Sequence, residues 1–233
     1  MNPYEIKLGD CLELMRNISD ESIDAIITDP PYFLPANHYQ TRKQFNRNFS
    51  DLSIIEGFYK GVFEQFRRVM KKDGTLYIFC DGQSYPLFYF HLYPFCRSVR
   101  PLIWDKKTSI NGYTWRHQHE LIIFAEMPEA NPIPTGDGDI LSLNAVKVEN
   151  RVHPAQKPLE LIIKLIEKST QEGAVILDPF MGSGTVGVAC VKCNRNFIGY
   201  EIDSGYFEIA KQRIESEVSK PKLDEEKWMK EVD

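Results

Sequence analysis

The sequence predicts an α/β fold: a mainly parallel, twisted sheet with helices on both faces. Three observations carry that prediction. Short apolar runs of strand length alternate with stretches of helical period along most of the chain, the pattern of linked strand–helix–strand units. Two of those runs end in turn-forming motifs, Asp29-Pro30-Pro31-Tyr32 and Asp178-Pro179-Phe180-Met181-Gly182, at the strand ends where such sheets place ligands. The chain has 233 residues, 42% of them hydrophobic, enough to bury one sizeable core.

Taken in order, Tyr4–Leu8 reads as a strand ending at Gly9-Asp10, and Cys11–Arg16 has helical character. Ile23–Thr28 is a buried strand, stopped by the paired prolines, which cannot continue a central ladder. Leu52–Met70 reads as a helix with Phe58, Val62, Phe66 and Val69 on one face. A turn at Asp73-Gly74 should lead into a strand at Thr75–Cys80, and Ser98–Trp104 with Leu121–Phe124 reads as a hairpin. Met127–His153 is irregular and rich in Pro, Gly and Asn, the composition of an exposed loop or linker. Beyond it come an amphipathic helix at Lys157–Ser169, with Pro158 near its first turn, a strand at Ala174–Leu177, a helix at Ser183–Lys192, a strand at Phe197–Tyr200 and a closing helix at Gly205–Val218. The expected organisation is one domain over residues 1–219 and a polar tail over 220–233.

No stretch approaches the roughly 18 apolar residues of a membrane span. Met1–Asp10 lacks a basic region followed by an apolar run, so no signal peptide is expected. Five cysteines, an odd number, do not form a disulfide framework, and a reducing cytoplasm is the expected location. The formal net charge of −5 argues against a nucleic-acid binder, whose phosphate contacts need positive charge. The charge is unevenly spread, however. Pro31–Ser50 carries Arg42, Lys43 and Arg47 and no acid, and Phe95–Gln118 carries Arg97, Arg100, Lys106, Lys107 and Arg116 against Asp105 alone. Solvated faces produce similar runs.

Asp178–Thr185 lies between a strand and a helix. Gly182-Ser183-Gly184-Thr185-Val186-Gly187 fits the G-x-G-x-x-G pattern of a nucleotide-binding turn. Glu201 follows 19 residues after Gly182, at the end of the next strand, where a carboxylate can accept both ribose hydroxyls. These features alone also fit NAD. Two details favour S-adenosylmethionine. An acidic group before the glycines suits the ammonium of a methionine moiety and would repel a pyrophosphate. Only 32 residues follow Glu201, so the rest of a dinucleotide fold would have to precede this unit.

Asp29-Pro30-Pro31-Tyr32 carries a different chemistry. The exocyclic nitrogen of adenine is a poor nucleophile because its lone pair is delocalised into the ring. The Asp29 carboxylate and the Pro30 carbonyl can each accept one of its hydrogens and localise that pair. The prolines stiffen the turn, so the acceptors are held in advance. Tyr32 offers a ring for base stacking, worth about 1–3 kcal/mol. Transfer would be direct displacement governed by alignment.

With these motifs in hand, the sequence resembles the bacterial amino-group (N6-adenine/N4-cytosine) DNA methyltransferases. Asp29–Tyr32 matches their D-P-P-Y motif and Asp178–Thr185 their D-P-F-x-G-S-G-T motif. His153-Pro154-Ala155-Gln156-Lys157-Pro158 is similar to their H-P-T-Q-K-P segment, with Ala155 in place of the threonine. Gly9-Asp10-Cys11 and Ile198-Gly199-Tyr200-Glu201 also have counterparts, and His119-Glu120 and Trp104-Asp105-Lys106 weaker ones. The D-P-P-Y motif precedes the glycine motif, which implies the permuted β class: a circularly permuted, Rossmann-like S-adenosylmethionine-dependent methyltransferase fold. The resemblance implies that Asp10 and Cys11 meet the cofactor's adenine and that Glu201 holds its ribose. Asp178, Phe180, Gly182 and Lys157 would surround the methionine end, together with Asp29, Ser183, Gly184 and Thr185. Asp29, Pro30, Pro31 and Tyr32 would hold the target base, with the leading Asp favouring adenine over cytosine.

The implied substrate is double-stranded DNA, with the base flipped out at a cost of a few kcal/mol. Recognition would fall to two short regions, about 33–53 and 106–151. Tyr39, Arg42, Lys43, Arg47, Lys106 and Lys107 are the candidate DNA contacts; Phe45 and Phe49 could stack there, or simply pack the loop. The partners left open are a second copy of the chain, a companion restriction enzyme and a second methyltransferase subunit. No metal is expected: Cys190 and Cys193 form a lone C-x-x-C without a second ligand pair. The alternatives are N4-cytosine methylation, a non-catalytic cofactor-binding subunit of a modification complex and a nicotinamide dehydrogenase.

Overall fold

The computed structural model describes residues 3–31, 52–110, 115–131, 136–147, 149, 151–153 and 155–220. Tyr32 and most of the first recognition region, including Tyr39, Arg42, Lys43 and Arg47, lie outside them, as does the tail beyond Lys220.

The elements run β1 (Tyr4–Leu8), α1 (Cys11–Met15), β2 (Ile23–Thr28), α2 (Leu52–Val69), β3 (Met70–Cys80), α3 (Tyr85–Leu92), β4 (Ser98–Ile110), β5 (His117–Glu126), β6 (Ile140–Ser142), α4 (Leu159–Ser169), β7 (Val175–Asp178), α5 (Thr185–Lys192), β8 (Asn196–Glu201) and α6 (Ser204–Val218). They form one eight-stranded sheet in the order β1-β8-β7-β2-β3-β5-β4-β6. β5 runs antiparallel to both of its neighbours, and every other pairing is parallel.

Period-2 alternation splits the core into two layers. Ile23 and Ile26 of β2, with Leu76 and Ile78 of β3, face α1, α2 and α3, packing on Met15, Phe66 and Phe88. Ala25, Ile27, Tyr77 and Phe79 face the other way, onto Leu161 and Leu165 of α4, Ala189 of α5 and Ile214 of α6. Both faces are thus covered, as parallel strands require. Cys190 and Cys193 belong to the second layer, where burial raises both thiols.

Several expectations need correction. α3 was not anticipated: Tyr-Pro-Leu-Phe-Tyr-Phe-His-Leu is apolar all round and shows no helical stripe. The irregular stretch 127–153 contributes β6, which pairs with β4 through Ile103, Trp104 and Asp105. The strand expected from Thr75 runs from Met70, but its register against β2 jumps from Ile23↔Met70 to Ala25↔Thr75. The expected turn at Asp73-Gly74 lies inside that bulge. A Cβ at Gly74 would sit 2.7 Å from the Asp24 carbonyl oxygen, which only glycine avoids. Within the second recognition region, His117–Glu126 forms β5, wedged between β3 and β4, so this part of it belongs to the sheet.

Candidate functional site

The chain leaves the centre of the sheet in opposite directions from β2 and β7. β2 continues to β3 on one side and β7 to β8 on the other, which opens a crevice at the carboxyl ends between them. The two strands are adjacent and parallel, with Ala25 opposite Ile176 and Ile26 opposite Leu177. The Asp29–Pro31 turn and the glycine loop Asp178–Gly184 therefore emerge side by side. The Thr28 hydroxyl ties them, donating to Asp178 Oδ1 at 2.7 Å across 150 residues of sequence.

Neighbouring elements hold the turn. Tyr59 of α2, fully buried against Phe58 and Phe88, donates its hydroxyl to the Pro31 carbonyl. Lys157 Nζ sits 2.6 Å from Asp29 Oδ2 and 3.1 Å from Glu120 Oε2. Glu120 in turn pairs with Lys106. Burial pulls the Lys157 ammonium down, but Asp29 and Glu120 outweigh it and its pKa ends raised. Burial likewise pushes Glu120 up, and Lys157 and Lys106 bring it below its ordinary value.

The glycine loop turns through left-handed backbone at Gly182 (φ 51°) and Gly184 (φ 77°). A Cβ at Gly184 would lie 2.9 Å from the Ala210 Cβ. Arg213 of α6 donates to the Ser183 carbonyl and, at 3.0 Å, to its hydroxyl. Glu201 organises the rim: Oε2 accepts from Gly182 N at 2.8 Å, and Oε1 from Ile202 N and Asp203 N at 2.9 Å each. Its main-chain carbonyl accepts from Gly9 N, which draws the end of β1 alongside. Asp10 caps α1 by accepting from Leu12 N at 2.8 Å, and Cys11 is buried beside it.

Burial pushes the Asp178 carboxyl up to about 7, against hydrogen bonds from Thr28 and Phe180, and it raises Glu201 as well. Asp178, Glu201 and Asp29 make this edge a nest of carboxylates. It suits a cationic, hydroxyl-bearing nucleoside and opposes a pyrophosphate. Leu8 and Ile202, both about half exposed, add an apolar rim beside Glu201 of the kind a heteroaromatic ring covers. The residues present therefore fit S-adenosylmethionine.

Three candidates sit differently from expectation. Lys157, assigned to the methionine end, has its ammonium on Asp29 and Glu120 because those are the carboxylates within reach. Lys106, assigned to DNA, is 12% exposed and paired with Glu120 rather than facing solvent; Lys107 beside it is exposed. Glu201 accepts three backbone N–H bonds, which leaves about one of a carboxylate's four acceptor sites for a ribose. Phe180 and Ser183 lie in the loop, and Thr185 opens α5, two residues after the start expected from the sequence.

Sequence reasoning missed Thr28, Tyr59, Glu120, Arg213 and Ile202 as members of this site. Glu120 carried a signal. In an antiparallel strand paired to β3 the first residues lie at the carboxyl edge, and the register sets Leu121 opposite Cys80. Tyr59 and Arg213 depend on helix placement, and Thr28 and Ile202 on which strands the sheet sets side by side, neither of which a local pattern reveals.

A family model described as DNA methylase, of the N6/N4 type, matches residues 23–212. The type II methyltransferase M2.MboI of Moraxella bovis is 32% identical over 248 residues, covering 90% of this chain and 87% of that protein. The crystal structure of the M1.HpyAVI–SAM complex superposes with a TM-score of 0.65 at 26% identity, covering 90% of this chain and 99% of that one. The PvuII cytosine-N4-specific DNA methyltransferase superposes with a TM-score of 0.77 at 14% identity over 98% and 90% of the two chains, an identity that speaks for the fold alone.

Proposed function

The chain belongs to the N6/N4 DNA methylase family of S-adenosylmethionine-dependent DNA methyltransferases, and from that premise we propose that its acceptor is the N6 amino group of adenine in a specific duplex site. The bond from Thr28 to Asp178, which ties the Asp29–Pro31 turn to the glycine loop at one sheet edge, supports methyl transfer to an amino group, and the Asp at the head of Asp29-Pro30-Pro31-Tyr32 supports adenine as its bearer.

When bound, S-adenosylmethionine supplies an electrophilic methyl group on a sulfonium. Asp178, Phe180 and the Gly182–Gly184 backbone would hold its methionine end, and Glu201 with the Leu8–Ile202 rim its nucleoside. The chain's own task is to present the amino nitrogen. Asp29 and the Pro30 carbonyl accept its two hydrogens, which localises the lone pair and aligns it for in-line attack. Tyr59 keeps the turn from relaxing by holding the next carbonyl. A base stacked in a duplex cannot reach a turn recessed at a sheet edge, so the adenine is flipped out, at a cost of a few kcal/mol. Tyr32 then stacks on it. Arg42, Lys43, Arg47 and Lys107 contact phosphates, and Tyr39 contacts the opened strand. M2.MboI is a type II methyltransferase, and by analogy a restriction enzyme reading the same site is the proposed companion.

The test is labelled methyl transfer to duplex DNA followed by nucleoside analysis. N6-methyladenine as the product is expected; N4-methylcytosine alone would defeat the adenine assignment.

A further inference from the structure

Four charged side chains of alternating sign meet beneath the Asp29–Pro31 turn: Asp29, Lys157, Glu120 and Lys106. The two lysines are 8% and 12% exposed and the two carboxylates 22% and 21%, so solvent contributes little to ordering them. We propose that Glu120 is a positioning residue for methyl transfer, holding the Lys157 ammonium against one oxygen of Asp29 so that the carboxylate presents a fixed face to the amino group of the target base. The inference rests on Asp29 being the acceptor for that amino group.

The argument is geometric. The terminal torsion of an aspartate is broad and two-fold, so its oxygens need an outside anchor. A lysine is a point charge on a flexible four-carbon stem and cannot supply one alone. Glu120 can, because its backbone is locked in the sheet opposite Trp104 of β4, one residue from the pairing of Leu121 with Cys80 of β3. Its Oε2 lies 3.1 Å from Lys157 Nζ, a contact that sets where the ammonium sits. The Phe79 ring, 4.9 Å from Lys157 Nζ, closes the apolar side. Among the described residues, Cys80 of β3, Tyr59 of α2, Asp178 of the glycine loop and His153 of the loop before α4 also interact with members of this cluster. Burial pushes the thiol and the Tyr59 hydroxyl far up and the imidazole down, so these three are neutral near pH 7; Asp178, raised to about 7, is ionised across the alkaline range in every variant compared.

The experiment compares E120Q, K106M and D29A with the unaltered protein. Single-turnover methyl transfer with DNA and S-adenosylmethionine prebound is followed across alkaline pH, alongside the binding constants of both. For E120Q the rate should fall roughly tenfold or more while both binding constants stay within about threefold. The alkaline limb of the rate profile should move to lower pH, because Lys157 loses a negative neighbour. K106M removes a positive charge beyond Glu120 and should move that limb the opposite way. A merely structural role would not produce shifts of opposite sign. A folded E120Q with an unaltered rate and profile overturns the proposal. Should E120Q fail to fold, K106M with an unmoved limb does so. D29A separates the two levels: activity retained there removes the role of Asp29 itself, whereas an inactive D29A beside a silent E120Q defeats only the inference about Glu120.

Discussion

The Asp178 carboxyl, held near 7 chiefly by burial, makes the glycine loop sensitive to pH at neutrality. The sign follows from the direction of the shift. Its folded value lies above the unfolded carboxylate value, so the folded state holds the proton more tightly. Stability without cofactor therefore falls as pH rises through that interval, by a few kcal/mol at most. A cofactor ammonium favours the ionised form, so S-adenosylmethionine affinity should weaken up to about tenfold per pH unit below about pH 7. Titration calorimetry across that range checks this, and Asp178→Asn should remove the pH dependence; a wild-type slope in that variant contradicts the assignment. At the turn, Asp29→Ala should reduce methyl transfer by roughly a thousandfold or more while S-adenosylmethionine affinity changes only a few-fold, the signature of an interaction made in the transition state. Tyr59→Phe removes one hydroxyl from the Pro31 carbonyl. It should lower the transfer rate by roughly ten- to a hundredfold at a stability cost of about 1–3 kcal/mol for the unsatisfied carbonyl, read by single-turnover kinetics and denaturant unfolding.

At the scale of elements, the glycine loop is built against α6 as much as by its own residues. Gly184 combines φ of 77° with a close approach to Ala210, so Gly184→Ala should cost on the order of 2–3 kcal/mol. Gly57 in α2, where an added Cβ meets nothing within 4 Å, is the control: Gly57→Ala should be neutral or stabilising by about 1 kcal/mol. Comparing the two by thermal unfolding separates strain from helix propensity. The strands and the long helix α2 were legible because short apolar runs bounded by turn residues and a 3.6-residue stripe mark them directly. α3 was not, since an element apolar on every side shows no period, and β6 is three residues long and exists only because β4 offers it an edge.

At the scale of the whole molecule, a chain of net charge −5 must bind DNA through a local positive surface. Alanine at Arg42, Lys43 and Arg47 together should weaken DNA binding and flatten its dependence on salt. For every phosphate left without its cation, the slope of log affinity against log salt should fall by about 0.9. Binding isotherms at several salt concentrations measure this, and an unchanged slope would place the phosphate-binding cations elsewhere. Among the described residues no helix is long and apolar enough to cross a membrane.

By itself the sequence determined the chemistry this edge can host. An acceptor pair in a proline-stiffened turn, a carboxylate ahead of two glycines and an acid at the end of the following strand are local patterns, each set by residue type and spacing. Which side chains join them was decided only by tertiary structure. Lys157 reaches Asp29 across 128 residues and Thr28 reaches Asp178 across 150, and such distances close only when the sheet assembles. The physical reason is that a strand's sequence specifies which face it buries but not its neighbour. The order β7-β2-β3-β5, set by packing both faces at once, puts Glu120 and Lys157 beneath the turn and takes Lys106 from solvent into that cluster.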